Sequence, residues 1–259
     1  MIFYTSTNND KETTPGLNQL RKAAEQGDAE AQYTLGERYI SGNGVGMDRD
    51  EAFKWFRKSA EQGFAKAQFR LGRAHYNGGF GMEYDHLEAA RLFRLAAEQG
   101  HADAQYELGR CYYYGKGTDE NNEMAVKMFR KAAKQDIVPA QYLLGCCYFN
   151  AQGVEEDNVS AAFWFSKAAQ KDHPDAQLFL GDCYFFGRGI DKDTRKAVSL
   201  FRNAAKQGVP EAQLRLGICL CIGEGIEKDV EEGLRWICKA AIQGDEFAIK
   251  LLSQSGIDS

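Results

Sequence analysis

A six-residue string recurs along most of the chain at a nearly constant interval. Ala-Gln-x-x-Leu-Gly begins at Ala31, Ala67, Ala104, Ala140, Ala176 and Ala212, with gaps of 36, 37, 36, 36 and 36 residues. A degenerate seventh copy starts at Ala248 and keeps only that alanine and Leu252. A fixed period of this length is typical of proteins in which one supersecondary unit is stacked many times. The chain is therefore expected to be a repeat array.

Each repeat predicts two helices joined by a glycine-rich turn. In the first helix, Ala31, Leu35 and Tyr39 are spaced to lie on one face. In the second helix, the block 52–60 forms the same kind of apolar stripe, and the turn 42–45 supplies glycines that suit a helix end. An Asp or Asn four residues before the alanine of each second helix predicts an N-cap. These residues are Asp48, Asp85, Asn121, Asp157, Asp193 and Asp229.

Two further positions carry structural predictions. A glutamate three residues after Asp48, Asp85 and Asp229 predicts a capping box, in which cap and glutamate bond to each other's backbone N–H. A helical glycine costs about 1 kcal/mol relative to alanine. Its presence in six repeats therefore predicts a neighbouring helix that leaves no room for a side chain. The glycines are Gly36, Gly72, Gly109, Gly145, Gly181 and Gly217.

A helix pair of this kind cannot bury its apolar stripes alone, whereas a stack of pairs can. The predicted fold is all-α, a right-handed αα-superhelix (solenoid) of six full helix pairs plus terminal half units. Residues 1–15 are expected to be a flexible tail, and residues 16–253 a single solenoid domain. The expected repeats span 28–63, 64–100, 101–136, 137–172, 173–208 and 209–244, with a capping helix at 245–253.

The repeat resembles that of a known family. The pattern Ala-x-x-x-Leu-Gly-x-x-Tyr-x-x-Gly-x-Gly-Val-x-x-Asp-x-x-x-Ala-x-x-Trp-Phe-x-x-Ala-Ala-x-x-Gly is similar to the Sel-1-like repeat, a relative of the tetratricopeptide repeat with a longer loop. Local departures are Ala151 for a turn glycine, His75 and Leu220 for the tyrosine, and Gly233 for the second-helix alanine. The resemblance implies a scaffold or adaptor that binds proteins or peptides along its concave face, and it implies no chemistry.

Composition and motifs exclude several classes of function. The net charge of -5 and the pI of about 5.5 argue against nucleic acid, which requires a basic surface. No apolar run approaches the length that spans a membrane, so no membrane insertion is expected. The four histidines are scattered, so neither a metal site nor a cofactor is predicted. Some relatives have been discussed as β-lactam-binding or hydrolysing enzymes, but Ser-x-x-Lys and Lys-Thr-Gly are both absent, so no enzyme activity is predicted.

Four of the seven cysteines occupy one register, seven residues after the repeat alanine. They are Cys111, Cys147, Cys183 and Cys219. A secreted branch of the family staples each helix pair with a disulfide, but the second helices here offer no repeated partner cysteine. Adjacent members of the register would lie roughly 10 Å apart, too far for a bridge. Free thiols favour the cytoplasm, with the periplasm or secretion as the alternative if a signal peptide was removed.

The family resemblance also implies where a partner binds. First helices line the concave side, where the residues one before and two, six, nine and ten after each repeat alanine are expected to face outward. We call the selected residues the predicted binding face: Tyr33, Phe69, Arg73, Tyr76, Tyr106, Arg110, Tyr113, Tyr114, Tyr142, Phe149, Phe185 and Phe186. Three consecutive aromatics, as at 112–114 and 184–186, cannot share one buried face. At least one of each three either packs against a neighbouring turn or faces the groove. The extra residue in the 78–82 loop marks Phe80 as a minor candidate contact.

Three functional hypotheses stand on these observations. The first is a non-catalytic adaptor that binds another protein or an extended peptide. The second is a cognate inhibitor of immunity type that sequesters one specific partner, since an acidic curved rod suits that role equally. The third is a β-lactam-directed enzyme, for which the sequence offers no activated serine. A structural, self-assembling role belongs with the second hypothesis.

Overall fold

The computed structural model describes residues 15–81 and 83–254. Over this part of the chain all regular secondary structure is helical. The helices are α1 Pro15–Glu25, α2 Ala29–Ser41, α3 Arg49–Glu61, α4 Ala65–Asn77, α5 His86–Glu98, α6 Ala102–Tyr114, α7 Asn122–Ala133, α8 Val138–Phe149, α9 Asn158–Ala169, α10 Pro174–Phe186, α11 Thr194–Lys206, α12 Pro210–Ile222, α13 Val230–Ile242 and α14 Glu246–Gln254. A short 3₁₀ turn covers Gly79–Gly81.

The helices pack as consecutive antiparallel pairs, which confirms the predicted solenoid of helix hairpins. The even-numbered helices from α2 to α12 are the first helices of the pairs. The odd-numbered helices from α3 to α13 are the second helices. The chain divides after Glu120 into two compact units. Apart from Pro15, where α1 begins, the expected N-terminal tail lies outside the described residues, as does the side chain of Phe80.

In the pairs that lie within one unit, a large side chain of the second helix packs on a glycine of the first, and it is phenylalanine in four of them and Ile237 in α12–α13. Phe56 and Phe201 are fully buried. A Cβ added to Gly36 would lie 2.7 Å from the Phe56 ring, and one added to Gly181 would lie 2.5 Å from the Phe201 ring. Both distances are too short for a real contact. The prediction that these glycines permit close helix approach is confirmed.

All six predicted N-caps are present, but the capping boxes are only half formed. Each cap side chain accepts a backbone N–H from the residue three positions on, at 2.9–3.0 Å. The prediction that the glutamate returns the bond is wrong. The Asp48 N–H donates instead to the Tyr39 carbonyl at 3.0 Å, which closes the loop between the two helices. The Glu51 carboxylate is then free to accept from Lys54 at 3.0 Å.

A column of buried glutamines links the helices, and sequence analysis assigned it no role. The members are Gln32, Gln68, Gln105, Gln141, Gln177 and Gln213. Nε2 of Gln32 donates to the Ala24 carbonyl at 3.0 Å, and its Oε1 accepts from Gln62 Nε2 at 2.7 Å. The glutamine thus supplies partners to polar groups near the ends of α1 and α3. In the sequence, the buried role of these glutamines was indicated by a polar residue that recurs directly after the core alanine of each repeat.

Among residues 15–81 and 83–254, three non-glycine residues adopt the left-handed conformation, and all three lie after residue 120. Asp136 (φ 62°) and Asp172 (φ 59°) follow second helices. Ala151 (φ 55°) occupies a turn position that is glycine in other repeats, such as Gly187 (φ 69°). A left-handed residue with a Cβ costs about 1–2 kcal/mol, less for aspartate, whose side chain can bond locally. These turns are therefore less favourable than their glycine counterparts.

Candidate functional site

The residues two positions after each repeat alanine are packed more deeply than predicted. The Tyr33 ring lies 5.6 Å from Phe56 and 5.4 Å from Phe64, which precedes the next first helix. Tyr142 stacks on His173 at 4.8 Å in the same way. Like these two, Phe69 and Tyr106 are half-buried. The expectation that this position faces outward is wrong for Leu178 and Leu214, which are only 3% and 7% exposed, because the next pair covers the position.

The residues nine positions after the alanine pack on the core phenylalanine of their own pair. Tyr76 lies 6.3 Å from Phe93, and Phe185 lies 6.2 Å from Phe201. Phe149 contacts Phe165 at the same distance, 6.2 Å. Each of these rings therefore has one side on the core and an edge toward solvent. Tyr113 is also half-buried.

The third ring of each aromatic run faces solvent. Tyr114 is 52% exposed and Phe186 is 50% exposed. Tyr114 stands edge-on to Tyr113 at 4.9 Å, and Phe186 stands edge-on to Phe185 at 5.1 Å. In each run, the middle ring is therefore half-buried and the third ring is exposed to solvent.

Cationic side chains lie over these rings. Arg110 lies 5.7 Å from the Tyr106 ring and 6.0 Å from the Tyr76 ring. In the second unit, Arg188 lies 5.4 Å from Phe186 and 5.6 Å from Phe149. Lys116 and Lys192 approach Tyr76 and Phe185 at 5.9 and 5.7 Å. Each unit therefore presents partly exposed rings that are flanked by positive charge.

Ion pairs join adjacent first helices beside these rings. Arg70 donates twice to Glu37, at 2.7 and 2.8 Å. In the second unit Arg215 lies 3.3 Å from Asp182, but those two atoms are not aligned for a hydrogen bond. The Asp182 carboxyl is largely buried, and burial raises its pKa against the opposing effect of Arg215. The first pair is well formed and the second is poorly satisfied.

Arg73 and Glu107 carry opposite charges on the adjacent first helices α4 and α6. Arg73 is exposed, as predicted. Glu107 accepts a hydrogen bond from Arg110 at 2.9 Å. Burial raises the pKa of Glu107, and the positive charges of Arg110 and Arg73 oppose that shift. The rim of the first unit therefore carries both signs of charge within a short distance.

All seven cysteines are free thiols, and the predicted cysteine register is confirmed. Cys111, Cys147, Cys183 and Cys219 are buried in the helix interfaces. Burial raises the pKa of Cys111 and Cys147 to about 12 and that of Cys183 and Cys219 to about 11. Protonated, buried thiols are poor nucleophiles and poor metal ligands, so this column has a packing role.

Two negative findings apply to residues 15–81 and 83–254. No three His, Cys, Asp or Glu side chains gather there in a way that could hold a metal ion. Within the same ranges, no helix combines the length and apolar character needed to cross a membrane.

The model of the Sel1 repeat matches seven stretches of the chain. They are residues 20–28, 29–64, 65–101, 102–137, 138–173, 174–209 and 210–245. The six full matches begin one residue after the predicted repeats. The resemblance inferred from the repeated string is confirmed. No curated protein is similar enough to the chain to count as a relative.

Two solved structures are similar over nearly the whole chain. The first is described as a protective antigen present in uropathogenic Escherichia coli strains displaying an SLR fold. It is 37% identical, with a TM-score of 0.81 over 92% of this chain and 50% of its own. This chain thus spans half the length of that protein. The second is a Sel1 repeat protein from Oxalobacter formigenes, 32% identical, with a TM-score of 0.71 over 92% of this chain and 68% of its own.

A more distant structure is an immunity protein from Pseudomonas aeruginosa. It is 18% identical, with a TM-score of 0.44 over 84% of this chain and 83% of its own. At that distance the likeness carries no argument about function.

Proposed function

Because the chain belongs to the Sel1 repeat family, we propose that it is a non-catalytic scaffold that binds a protein or an extended peptide along the predicted binding face. Sel1 repeat proteins generally mediate protein–protein interaction. In solenoids of this type the first helices line the concave side. The proposal concerns which side chains of this chain contact the partner.

The observation that carries the proposal is the pair of displayed rings. Tyr114 and Phe186 occupy the same position of two repeats, and each is about half exposed. Each of these two rings contacts a neighbouring ring that is only half-exposed. The outer ring is therefore held in place without being buried. A preordered aromatic side chain loses little conformational entropy on binding, and tyrosine is a frequent hot-spot residue.

The charges around these rings favour an acidic partner segment. Arg110 and Lys116 surround the Tyr76 ring, and Arg188 and Lys192 approach Phe186 and Phe185, respectively. A segment that alternates carboxylates with apolar side chains would pair with the cations and cover the exposed rings. Nucleic acid is disfavoured because the whole chain is acidic, with a net charge of -5.

Site-specific photo-crosslinking tests the proposal. A photoreactive phenylalanine analogue replaces Tyr114 or Phe186 in the full chain, and matched controls carry it at Leu87 or Phe163, two exposed second-helix positions. We expect one protein to be crosslinked from the first two positions and not from the controls. The crosslinked segment identifies the peptide for the binding measurement.

The synthetic peptide is then titrated calorimetrically. We expect Tyr114→Ser combined with Phe186→Ser to weaken binding at least tenfold, in line with the loss of two aromatic contacts. Leu87→Ser combined with Phe163→Ser should leave the affinity unchanged. Crosslinks from the control positions alone, or equal affinities for the two double variants, would contradict the proposed face.

A further inference from the structure

A cleft opens between the second helices α3 and α5, with the first helix α4 as its floor. Its volume is about 740 Å³, within the usual range of ligand pockets. Phe53 and Arg57 line one wall, His75 lies on the floor, and Leu92 and Arg91 line the other wall. None of these residues belongs to the predicted binding face.

Other repeats show what normally fills this space. Where this pair has His75, the pairs containing α6 and α8 have Tyr112 and Tyr148. Arg94 of the preceding second helix donates to the Tyr112 hydroxyl at 3.3 Å. Arg130 likewise donates to the Tyr148 hydroxyl at 2.9 Å, with its guanidinium 5.9 Å from the ring. An arginine–tyrosine contact between a second helix and the following first helix therefore recurs in both units.

The cleft contains the arginine of this contact but lacks the tyrosine. Arg57 corresponds to Arg94 and Arg130. Because the His75 imidazole lacks the phenol ring and its hydroxyl, Arg57 donates instead to Glu61 on its own helix, at 3.0 Å. Both side chains of that ion pair are exposed, and such pairs contribute little to stability, so Arg57 can change partner at low cost.

The walls provide an apolar surface and a fixed charge. Phe53 is partly exposed, whereas its counterpart in the next repeat, Ala90, is fully buried. Arg91 donates twice to Glu88 at 2.7 Å, and this pairing lowers the pKa of the Glu88 carboxyl. Arg91 is therefore already paired. Arg57 is the arginine of the cleft whose equivalents in other repeats, Arg94 and Arg130, donate to a tyrosine hydroxyl.

We propose that this cleft binds the tyrosine side chain of a partner protein. The ring would lie between Phe53 and Leu92, and the hydroxyl would accept a hydrogen bond from Arg57. The interaction repeats between two chains the arginine–tyrosine contact that other repeats make within one chain. It would use the second-helix side of the first unit, independently of the predicted binding face.

N-acetyl-L-tyrosinamide is the probe, titrated into the ¹⁵N-labelled full chain by two-dimensional NMR. We expect saturable shift changes confined to α3, α4 and α5. N-acetyl-L-phenylalaninamide lacks the hydroxyl and should bind about three- to tenfold more weakly, the usual range for one lost hydrogen bond. Absence of saturation, or equal affinity for the two amides, would overturn the proposal.

Two substitutions at one residue give the decisive comparison. His75→Tyr restores the internal phenol, so it should abolish probe binding and raise the unfolding midpoint. His75→Ala keeps the cleft open and should retain binding. Conversely, Tyr148→His should create a second site that responds to the probe beside α7 and α8. Undiminished binding to the His75→Tyr variant, with a folded circular dichroism spectrum, would refute the assignment.

Discussion

The two compact units share their core but differ where neighbouring first helices meet at the surface. Three and six positions after the repeat alanine, the first unit has Thr34 and Glu37, Arg70 and Arg73, Glu107 and Arg110, and the second has Leu143 and Cys146, Phe179 and Asp182, Arg215 and Ile218. The first unit joins two of its first helices there by one well-formed ion pair, Arg70 with Glu37. In the second, Cys146 and Phe179 pack on an apolar cluster.

The difference shows which positions the fold constrains. The first-helix alanine and glycine of the core are the same in both units, and the second-helix phenylalanine is replaced only by another large apolar side chain, Ile237, because the pair needs close approach and a filled core. The surface positions accept either charge or apolar side chains, since each lies at the boundary with solvent. Partner chemistry can therefore vary at these positions without changing the fold. The following substitutions test this division between core and surface.

Core glycines should be equally sensitive in both units. Gly36→Val and Gly181→Val each force a side chain into a phenylalanine ring, so we expect each to destabilise its own unit by about 3 kcal/mol. Urea unfolding followed by circular dichroism measures the loss, and hydrogen exchange assigns it to a unit. Gly46→Val is the control, since a Cβ there meets nothing within 4 Å. A loss below about 1 kcal/mol in either unit would mean that the cores differ.

Gln68 of the first unit should contribute more to stability than Gln141 of the second, although Gln177 and Gln213 of the second unit accept the same bond as Gln68. Gln68 accepts from Gln99 at 2.8 Å, whereas Oε1 of the buried Gln141 has no hydrogen-bond partner. Gln68→Met should therefore cost about 2 kcal/mol and Gln141→Met about 1 kcal/mol. Equal losses in urea unfolding would show that the Gln68–Gln99 bond adds nothing.

The surface ion pairs should respond oppositely to neutralisation. Glu37→Gln weakens a bidentate pair and should cost about 0.5–1 kcal/mol at neutral pH. Asp182 has a raised pKa, so the folded state binds its proton more tightly than the unfolded state does. The contribution of Asp182 to the free energy of unfolding therefore falls as the pH rises from the pKa of this carboxyl in the unfolded chain, about 4, through its pKa in the folded protein.

Asp182→Asn removes this dependence. The variant should be at least as stable as the parent at pH 7, and the difference should vanish near pH 3, where the parent carboxyl is protonated. Thermal unfolding between pH 3 and 7 measures both variants. Destabilisation by Asp182→Asn at pH 7 as large as that by Glu37→Gln would show that the two ion pairs are equivalent.

Sequence reasoning predicted what repeats and could not predict what differs between repeats. Period, caps and the close approach at Gly36 follow from local patterns that six copies reinforce. The burial of Leu178 does not, because the residue that covers it belongs to the next helix pair. The replacement of a tyrosine by His75 was visible in the sequence. Its consequence was not, since the arginine that would contact the tyrosine, Arg57, lies on α3 of the preceding helix pair.

The smallest expected effect concerns the turn at Ala151, which adopts the same left-handed conformation as its glycine counterparts but carries a Cβ that they lack. Ala151→Gly removes about 1–2 kcal/mol of backbone strain but adds conformational entropy to the unfolded chain, about 0.5–1 kcal/mol. We expect a net stabilisation of about 0.5 kcal/mol. Gly187→Ala makes the reverse change at the same repeat position (φ 69°) and should destabilise by a similar or larger amount. Both are measured by urea unfolding. If Ala151→Gly destabilises the second unit, the turn is held by contacts of the alanine methyl group, and the strain assigned to this repeat is absent.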